Sequence, residues 1–247
     1  MAKRINEETL NILSKVTITD NLAYLTCGTL DRKQYKDINE VLENLGGRWN
    51  KKLKGHLFSN DPTEVIDDVI LSGEISDLKK EFQQFFTPPE LAPRVVALAN
   101  INDGDWVLEP SAGHGGIADF IPKTSKIDCV EIIPENVAIL KSKNYSVIHE
   151  GNFLTLEPNP VYDRIVMNPP FSRQQEIDHV VHAWNFLKPK GVLVSVMSSS
   201  ITFRDNNKTL EFRKFVENHG TVIKNPEGSF KSSGTNVNTV IVVLNKP

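Results

Sequence analysis

The sequence predicts an α/β protein in which a doubly wound, mostly parallel, seven-stranded sheet follows a small α+β N-terminal domain. From about Gly104 onward, short apolar runs alternate with amphipathic stretches. This spacing is typical of βαβ units and of a sheet covered by helices on both faces. The N-terminal third lacks the alternation and carries a basic segment between two helix signals. We therefore place two domains, at residues 1–78 and 79–247.

Helix and strand signals define the elements in order. In the first domain a helix over Gln34–Leu45 stops at two glycines, and a second helix begins at Asp61-Pro62-Thr63-Glu64 and stops at Gly73. Asp61 suits the N-cap, and Glu64 closes a capping box. A helix around Ile75–Phe86 joins the domains. The predicted strands of the second domain are Trp106–Glu109, Lys126–Ile132, Ser146–His149, Arg164–Met167, Gly191–Met197, Thr221–Ile223 and Asn238–Leu244. The predicted helices are Gly115–Ile121, Pro134–Lys141, Gln174–Leu187 and Thr209–Asn218.

Composition excludes several classes of protein. A chain of 247 residues that is 39% hydrophobic can bury a core, and no apolar run is long enough for a membrane span. The N-terminus lacks the apolar stretch of a signal peptide. Cys27 and Cys129 form no metal-binding or disulfide pattern, so we expect no metal and a cytoplasmic protein. The net charge of −3 argues against a basic coat, so any nucleic-acid contact requires a local patch.

Asn168-Pro169-Pro170-Phe171 is the most informative stretch, because it directly follows the apolar run 162–167. Each proline fixes φ, lacks an N–H and biases the preceding residue toward extended backbone. The result is a rigid turn whose carbonyls are not used in a helix. An amide oxygen, a carbonyl and an aromatic face suit a planar amine such as the exocyclic NH2 of a nucleobase.

Three further strand ends carry ligand-binding signals. Val107–Gly116 runs from a strand into a glycine-rich turn, where missing Cβ atoms permit close approach of a ligand. Glu131 ends the next strand, where a carboxylate can bind ribose hydroxyls at the carboxyl edge of an open sheet. Asn152 could contact an adenine edge and Phe153 its ring. Each signal alone also fits a structural role: tight packing, a solvated acid or a loop residue tucked into the core.

Together, the order and spacing resemble a class I S-adenosylmethionine-dependent methyltransferase with a Rossmann-like sheet. The chain looks most like the adenine-N6 DNA methyltransferases of the compact phage and mobile-element type. Phe85-Phe86-Thr87-Pro88-Pro89-Glu90-Leu91-Ala92 resembles the family's upstream motif, and Glu109-Pro110-Ser111-Ala112-Gly113-His114-Gly115 its cofactor loop. Asn168-Pro169-Pro170-Phe171 resembles its catalytic box.

This resemblance implies an enzyme that uses S-adenosyl-L-methionine and directly methylates a flipped adenine in DNA. The implied cofactor residues are Phe86, Thr87, Pro88, Glu109, Pro110, Ser111, Ala112, Gly113, Gly115, Glu131, Ile132, Asn152 and Phe153. The implied catalytic residues are Asn168, Pro169, Pro170 and Phe171, and Phe230 is a second aromatic beside the base. The chain departs from the family at Asn152, where Asp is common, and at His114, where a small or hydroxyl residue is usual.

The catalytic box does not choose the molecule that carries the amine. A similar box occurs in enzymes that methylate RNA, at adenine N6 or guanine N2, and in enzymes that methylate a protein glutamine. In each case the substrate atom that accepts the methyl group is a conjugated nitrogen. A non-catalytic regulatory or antirestriction module is an alternative of another class.

Sequence specificity must come from outside the predicted sheet. Since the chain as given ends directly after its last strand, we expect a partner subunit or the N-terminal domain to supply it. The candidate phosphate contacts are Arg48, Lys51, Lys52, Lys54 and His56, with Trp49 and Phe58 as flanking aromatics. The alternative is a solvated hairpin whose aromatics serve a small core.

Overall fold

Two units form the structure, and the first contains a segment from late in the sequence. The computed structural model describes residues 3–26, 28, 30–75, 86–233 and 237–247. The N-terminal unit comprises Met1–Phe82 and Ser200–Glu211, and the C-terminal unit comprises Gln83–Ser199 and Phe212–Pro247. The predicted boundary after residue 78 and most of the helix predicted around Ile75–Phe86 lie outside the described residues.

The N-terminal unit is α+β. A four-stranded antiparallel sheet has the order β2-β3-β5-β4, and β1 pairs antiparallel with β6. The elements in chain order are β1 (Lys3–Arg4), α1 (Glu7–Leu13), β2 (Val16–Thr19), β3 (Leu22–Leu25), α2 (Arg32–Asn44), β4 (Arg48–Asn50), β5 (Gly55–Leu57), α3 (Thr63–Ser72) and β6 (Glu74–Ile75).

Local capping explains where the helices of this unit begin and end. Helix α2 starts two residues before the prediction because Asp31 accepts the N–H of Lys33 and Gln34, and the Gln34 side chain accepts the N–H of Asp31. Helix α3 ends at left-handed Gly73 as predicted. Its N-cap is Pro62 and not Asp61, whose carboxylate instead accepts the N–H of Thr63.

The core of the N-terminal unit depends on the late segment. Apolar residues of α1, α2 and α3 form one cluster with Phe58, and Phe203 packs against it. Beside Phe203, the buried guanidinium of Arg204 donates to Asp67 of α3, with Nη2 2.8 Å from Oδ1. The sequence contained no sign of this arrangement.

The C-terminal unit confirms the predicted fold class. Its sheet has seven strands in the order β12-β13-β11-β10-β7-β8-β9, and β13 runs opposite to the other six. The elements are α4 (Ala92–Ala99), β7 (Trp106–Glu109), β8 (Lys126–Glu131), α5 (Pro134–Lys141), β9 (Val147–Glu150), β10 (Tyr162–Met167), α6 (Gln175–Trp184), β11 (Leu187–Ser198), α7 (Asn207–His219), β12 (Gly220–Lys224) and β13 (Thr239–Asn245). Short 3-10 turns span Ala118–Phe120, Phe153–Thr155, Ser172–Gln174, Ser199–Thr202 and Lys231–Ser233. The turn Ser199–Thr202 and the start of α7 overlap the segment Ser200–Glu211, which belongs to the N-terminal unit.

One predicted helix of this unit is wrong. In place of a helix over Gly115–Ile121 there is only the 3-10 turn Ala118–Phe120. The physical reason is local: Gly113 and Gly115 both have positive φ, and the Glu109 carboxyl group accepts the N–H of Ala118. The stretch therefore forms a loop that closes back on the strand end.

The Asp67–Arg204 pair makes the late segment a stability element of the N-terminal unit. Arg204→Ala should destabilise that unit by about 3–5 kcal/mol, because it leaves the Asp67 carboxylate buried without its guanidinium. Urea unfolding, followed by circular dichroism, measures the change. The control is Lys33→Ala, which removes a cation paired with Asp37 on the exposed face of α2 and should leave the midpoint nearly unchanged. Equal midpoints for the two variants would contradict this role for Arg204.

Candidate active site

The carboxyl ends of four parallel strands gather the predicted motifs at one edge of the sheet. Glu109 at the end of β7 is level with Cys129, and Glu131 at the end of β8 is level with Glu150 at the end of β9. Strand β10 lies beside β7 and ends at Met167, directly before the Asn168–Phe171 box. This edge is where open α/β sheets bind ligands.

Two glycines shape the loop after β7. Gly113 has φ +53° and Gly115 has φ +82°, a conformation that side chains disfavour. A Cβ on Gly113 would lie 3.1 Å from the ring of Phe86, and a Cβ on Gly115 would clash with the hydroxyl of Tyr145. Both positions therefore favour glycine. The backbone is buried at Gly115 and half-buried at Gly113, so Gly113 is the position at which a ligand could approach the loop.

Glu131 fixes this loop to the end of β8. Its Oε2 accepts the N–H of Gly113 at 2.7 Å, and its Oε1 accepts the N–H of Ile133 at 2.8 Å. The side chain is buried. These two hydrogen bonds orient the Glu131 side chain before any ligand arrives. Each of its oxygens keeps a second lone pair that can accept another hydrogen bond.

A cluster that sequence reasoning missed supports the loop from behind. Lys143 Nζ donates to the carbonyl of His114 and to Asp119, each at 2.5 Å. The Tyr145 hydroxyl donates to the second oxygen of Asp119 at 2.6 Å. Lys143 and Tyr145 lie in the short connection between α5 and β9, where no motif marks them, so only the fold reveals their function as supports.

Glu109, the last residue of β7, supports this loop. Its buried carboxyl accepts the N–H of Ala118, with the nitrogen 2.8 Å from Oε2. Burial raises the pKa of Glu109 from 4.5 to about 8, and the backbone N–H groups of Ala118 and Ile117 only partly offset this effect. The Glu109 carboxyl group therefore holds the loop backbone at Ala118 from the interior of the protein.

The upstream motif lies over the glycine-rich loop. Phe86 stacks on His114, with ring centroids 4.1 Å apart and planes 22° apart. The unusual His114 therefore contributes an aromatic surface. Hydroxyl groups from the turn after Phe230 hold the motif: Ser233 donates to the carbonyl of Phe86 at 2.7 Å, and Ser232 to the carboxylate of Glu90 at 3.1 Å.

The two aromatics predicted beside the target base lie next to each other. Phe171 and Phe230 meet edge-to-face, with centroids 6.3 Å apart and planes 72° apart. Phe230 is fully buried and Phe171 nearly so. Within the box, Asn168 is partly buried, Pro169 is buried and Pro170 is exposed. The stacking role of both rings stays a prediction.

The box ends in an unusual backbone segment. Arg173 and Gln174 are consecutive non-glycine residues with positive φ, at +54° and +58°. Helix α6 therefore starts at Gln175, after a 3-10 turn, and not at Gln174 as predicted. Such conformations cost about 1–3 kcal/mol each and concentrate at functional sites.

The residues predicted around an adenosine fall into two groups. Ile132, just beyond Glu131, is 60% exposed and offers an apolar surface at the sheet edge. Phe153 is buried against His182 and Phe186, with centroids 4.9 and 5.2 Å away. This placement is the core position that we considered as the alternative. The Asn152 amide oxygen caps the following turn by accepting the N–H of Leu154.

The basic residues predicted to contact phosphates belong to the N-terminal unit. Arg48, Lys51 and Lys52 are exposed on the β4–β5 hairpin. His56 is a correction: it is buried, its Nε2 lies 2.8 Å from Asn39 Oδ1, and burial lowers its pKa. A neutral, buried ring makes no phosphate contact. Phe58 serves the core, as the alternative proposed.

Within the residues that the structure describes, no helix has the length and apolarity needed to cross a membrane.

Comparison with known proteins identifies relatives of limited coverage. Identity with the type II methyltransferase M.HincII of Haemophilus influenzae is 26% over 97 residues, which are 39% of this chain and 18% of that protein. Identity with the probable ribosomal RNA small subunit methyltransferase A of Methanosarcina mazei is 25% over 177 residues, which are 67% and 64% of the two chains. This chain therefore spans less than two thirds of either relative. No protein-family model matches the sequence.

A solved structure extends the likeness in fold. The methyltransferase subunit of a type I restriction-modification system from Streptococcus thermophilus superimposes with a TM-score of 0.59 at 18% identity. The superposition covers 74% of this chain and 48% of that one.

The buried Glu109 carboxyl predicts a pH dependence of stability. With a pKa raised to about 8 from 4.5, the folded protein retains a proton that the unfolded chain loses across this window. The stabilisation is thus fully present below about pH 4.5 and is lost as the pH rises through about 8. Because a tenfold difference in proton affinity between the folded and unfolded chains corresponds to about 1.4 kcal/mol, the free energy of unfolding should change by a few kcal/mol in total.

Glu109→Gln tests this prediction, because an amide oxygen can still accept the Ala118 N–H and does not titrate. Urea unfolding at several values between about pH 5 and 8 should show wild-type stability falling relative to the variant. Glu150→Gln, at the exposed end of β9, is the matched control and should follow the wild-type profile. Parallel profiles for all three proteins would refute the raised pKa.

Proposed function

We propose that this chain, which has the class I S-adenosylmethionine-dependent methyltransferase fold, transfers a methyl group to the exocyclic N6 amine of adenine in DNA. S-adenosyl-L-methionine, the cofactor of this fold, would supply the methyl group as an electrophilic sulfonium methyl. The S–CH3 bond would break as the N–CH3 bond forms, the thioether product would leave, and N6 would lose one proton to solvent. The observation that carries the proposal is the Asn168–Phe171 box at the end of β10, on the sheet edge shared with the glycine-rich loop and Glu131.

The residues at this edge fit the cofactor. The loop backbone is partly exposed at Gly113, and the Phe86–His114 stack lies beside it. Glu131 presents an oriented carboxylate suited to the two ribose hydroxyls. Exposed Ile132 suits one face of the adenine. These residues are our proposed cofactor site.

Asn168 and Pro169 supply the chemistry of the acceptor site. The lone pair of an adenine N6 is delocalised into the ring, which makes the amine a poor nucleophile. The side-chain oxygen of Asn168 and the carbonyl of Pro169 would accept the two N6 hydrogens and favour a tetrahedral nitrogen. As positive charge develops on N6, these preoriented acceptors bind more strongly, which lowers the barrier.

Phe171 and Phe230 complete the acceptor site as aromatic partners of the base. A duplex adenine reaches such a pocket only after leaving the stack, at a cost of a few kcal/mol. Because both rings are buried against each other, entry of the base requires them to rearrange. Stacking on the ring faces would then replace the edge-to-face contact.

Adenine in RNA is the second candidate acceptor. It is favoured by the similarity to the probable ribosomal RNA small subunit methyltransferase A of Methanosarcina mazei. The likeness to M.HincII, a type II methyltransferase, favours DNA. Transfer assays on DNA and RNA of one base sequence, followed by mass spectrometry of the released nucleosides, separate the candidates. N6-methyldeoxyadenosine supports our proposal, and a methylated ribonucleoside alone overturns it.

Asn168→Ala tests the role of the box. The variant should lose transfer by roughly 100-fold or more in kcat and keep cofactor affinity close to wild type, because Asn168 contacts the amine and not the cofactor. Radiolabel transfer measures the first quantity and calorimetric titration with S-adenosyl-L-methionine the second. Asn159→Ala, in the exposed loop before β10, is the control. Wild-type methyl transfer by Asn168→Ala would contradict the proposed role of the box.

A further inference from the structure

The β4–β5 hairpin carries a concentration of positive charge that the rest of the chain does not share. Between residues 44 and 60 there are four cations, Arg48, Lys51, Lys52 and Lys54, and no acidic residue, whereas the whole chain has a net charge of −3. All four side chains are exposed. Within the described ranges, none of the four forms an ion pair.

The hairpin holds these cations on a defined backbone. Strand β4 is one of the two edge strands of its sheet, so no strand of that sheet pairs with its outer side. The Asn50 side-chain oxygen accepts the N–H of Lys52 at 3.0 Å and of Leu53 at 3.1 Å, which fixes the turn. A fixed turn reduces the entropy lost when its lysines contact a partner.

Helix α2 adds cations and an aromatic ring beside the hairpin. Arg32, Tyr35, Lys36 and Asn39 share one stripe of the helix, at i, i+3, i+4 and i+7. This stripe lies toward the hairpin because Asn39 contacts His56, and Tyr35 meets Trp49 with ring centroids 6.4 Å apart. Lys33 lies off the stripe and is paired with Asp37.

Two large aromatics in this patch are kept out of the core. Trp49 is 45% exposed and Tyr35 is 44% exposed. Phe58, at the other end of the hairpin, is buried in the core cluster. A hairpin built only for stability would need Phe58 but not the exposed pair. Aromatic rings among cations provide apolar contact to sugars and bases beside a phosphate backbone.

We propose that the β4–β5 hairpin and the facing stripe of α2 form a DNA-binding surface that contacts the phosphate backbone. We call it the hairpin surface: Arg32, Tyr35, Lys36, Arg48, Trp49, Lys51, Lys52 and Lys54. The cations neutralise phosphates, and Trp49 and Tyr35 contact the sugar and base edges between them. The choice of DNA over another polyanion rests on the proposed function, whereas the binding surface itself rests on the charges and exposures above.

The test measures how DNA binding depends on salt in the full chain. Affinity for a fluorescent duplex of about 20 base pairs is determined by anisotropy over a range of salt concentrations near 0.1 M, since each phosphate contact adds about 0.9 to the slope of log K against log salt. Lys51→Ala with Lys52→Ala should weaken binding roughly tenfold and lower the slope by about 2. Trp49→Ala should weaken binding with an unchanged slope.

A matched control removes the same charge elsewhere. Lys123→Ala with Lys190→Ala changes two exposed lysines near the amino ends of β8 and β11 and should leave affinity and slope at wild-type values. Circular dichroism melts check that all variants are folded. An unchanged slope in Lys51→Ala with Lys52→Ala, or an equal loss in the control, overturns the hairpin surface.

Two more arms separate this inference from the proposed function. Asn168→Ala should bind the duplex with the wild-type slope and fail to methylate it, and the Lys51/Lys52 variant should raise KM and keep kcat. Wild-type binding with a hairpin-dependent slope but no DNA methylation would refute the function and leave the surface standing. Tighter, hairpin-dependent binding of an RNA duplex of the same length would overturn the choice of DNA.

Discussion

The site depends on two glutamate carboxyl groups that bind the backbone of the loop after β7. Glu131 takes the N–H of Gly113, and Glu109 takes the N–H of Ala118, so two glutamates at neighbouring strand ends hold the loop at both sides. Because the Ala118 N–H is bonded to Glu109 and Gly115 has a positive φ, the stretch predicted as a helix forms a loop here. The backbone of the glycine-rich loop is therefore ordered before a ligand binds, so ligand binding does not cost the entropy of ordering it.

Local signals decided which elements were predictable. Strand β7 and helix α5 have the bounds predicted, Trp106–Glu109 and Pro134–Lys141, because an apolar run or a proline at the first helical position is sufficient to define them. Helices α1 and α4 and strands β2 and β3 were not predicted. The apolar residues of α1 belong to the core cluster of the N-terminal unit, and those of α4 pack against β10 and β11. Only the folded chain therefore shows which face of each element is buried.

The candidate site residues also divide into those that a local motif marks and those that only long-range contacts position. Motif order located Glu109, Glu131 and Asn168–Phe171 at strand ends that the fold brings to one edge. Long-range contacts such as Lys143 to His114, or Ser233 to Phe86, join segments 29 and 147 residues apart. No local pattern encodes them. His56 lies in a basic segment of the sequence, which suggests a surface cation. In the structure it is neutral and buried, because its strand faces α2.

The late segment Ser200–Glu211 has a practical consequence for dividing this protein into fragments. A fragment ending near residue 82 omits Phe203 and Arg204, so its core would be incomplete and Asp67 would lose its guanidinium. A fragment beginning near residue 83 would expose the same two side chains to water. Structural study of the N-terminal unit therefore calls for a permuted or linked chain that includes residues 200–211, and expression boundaries drawn from the linear order of the sequence would yield two damaged halves.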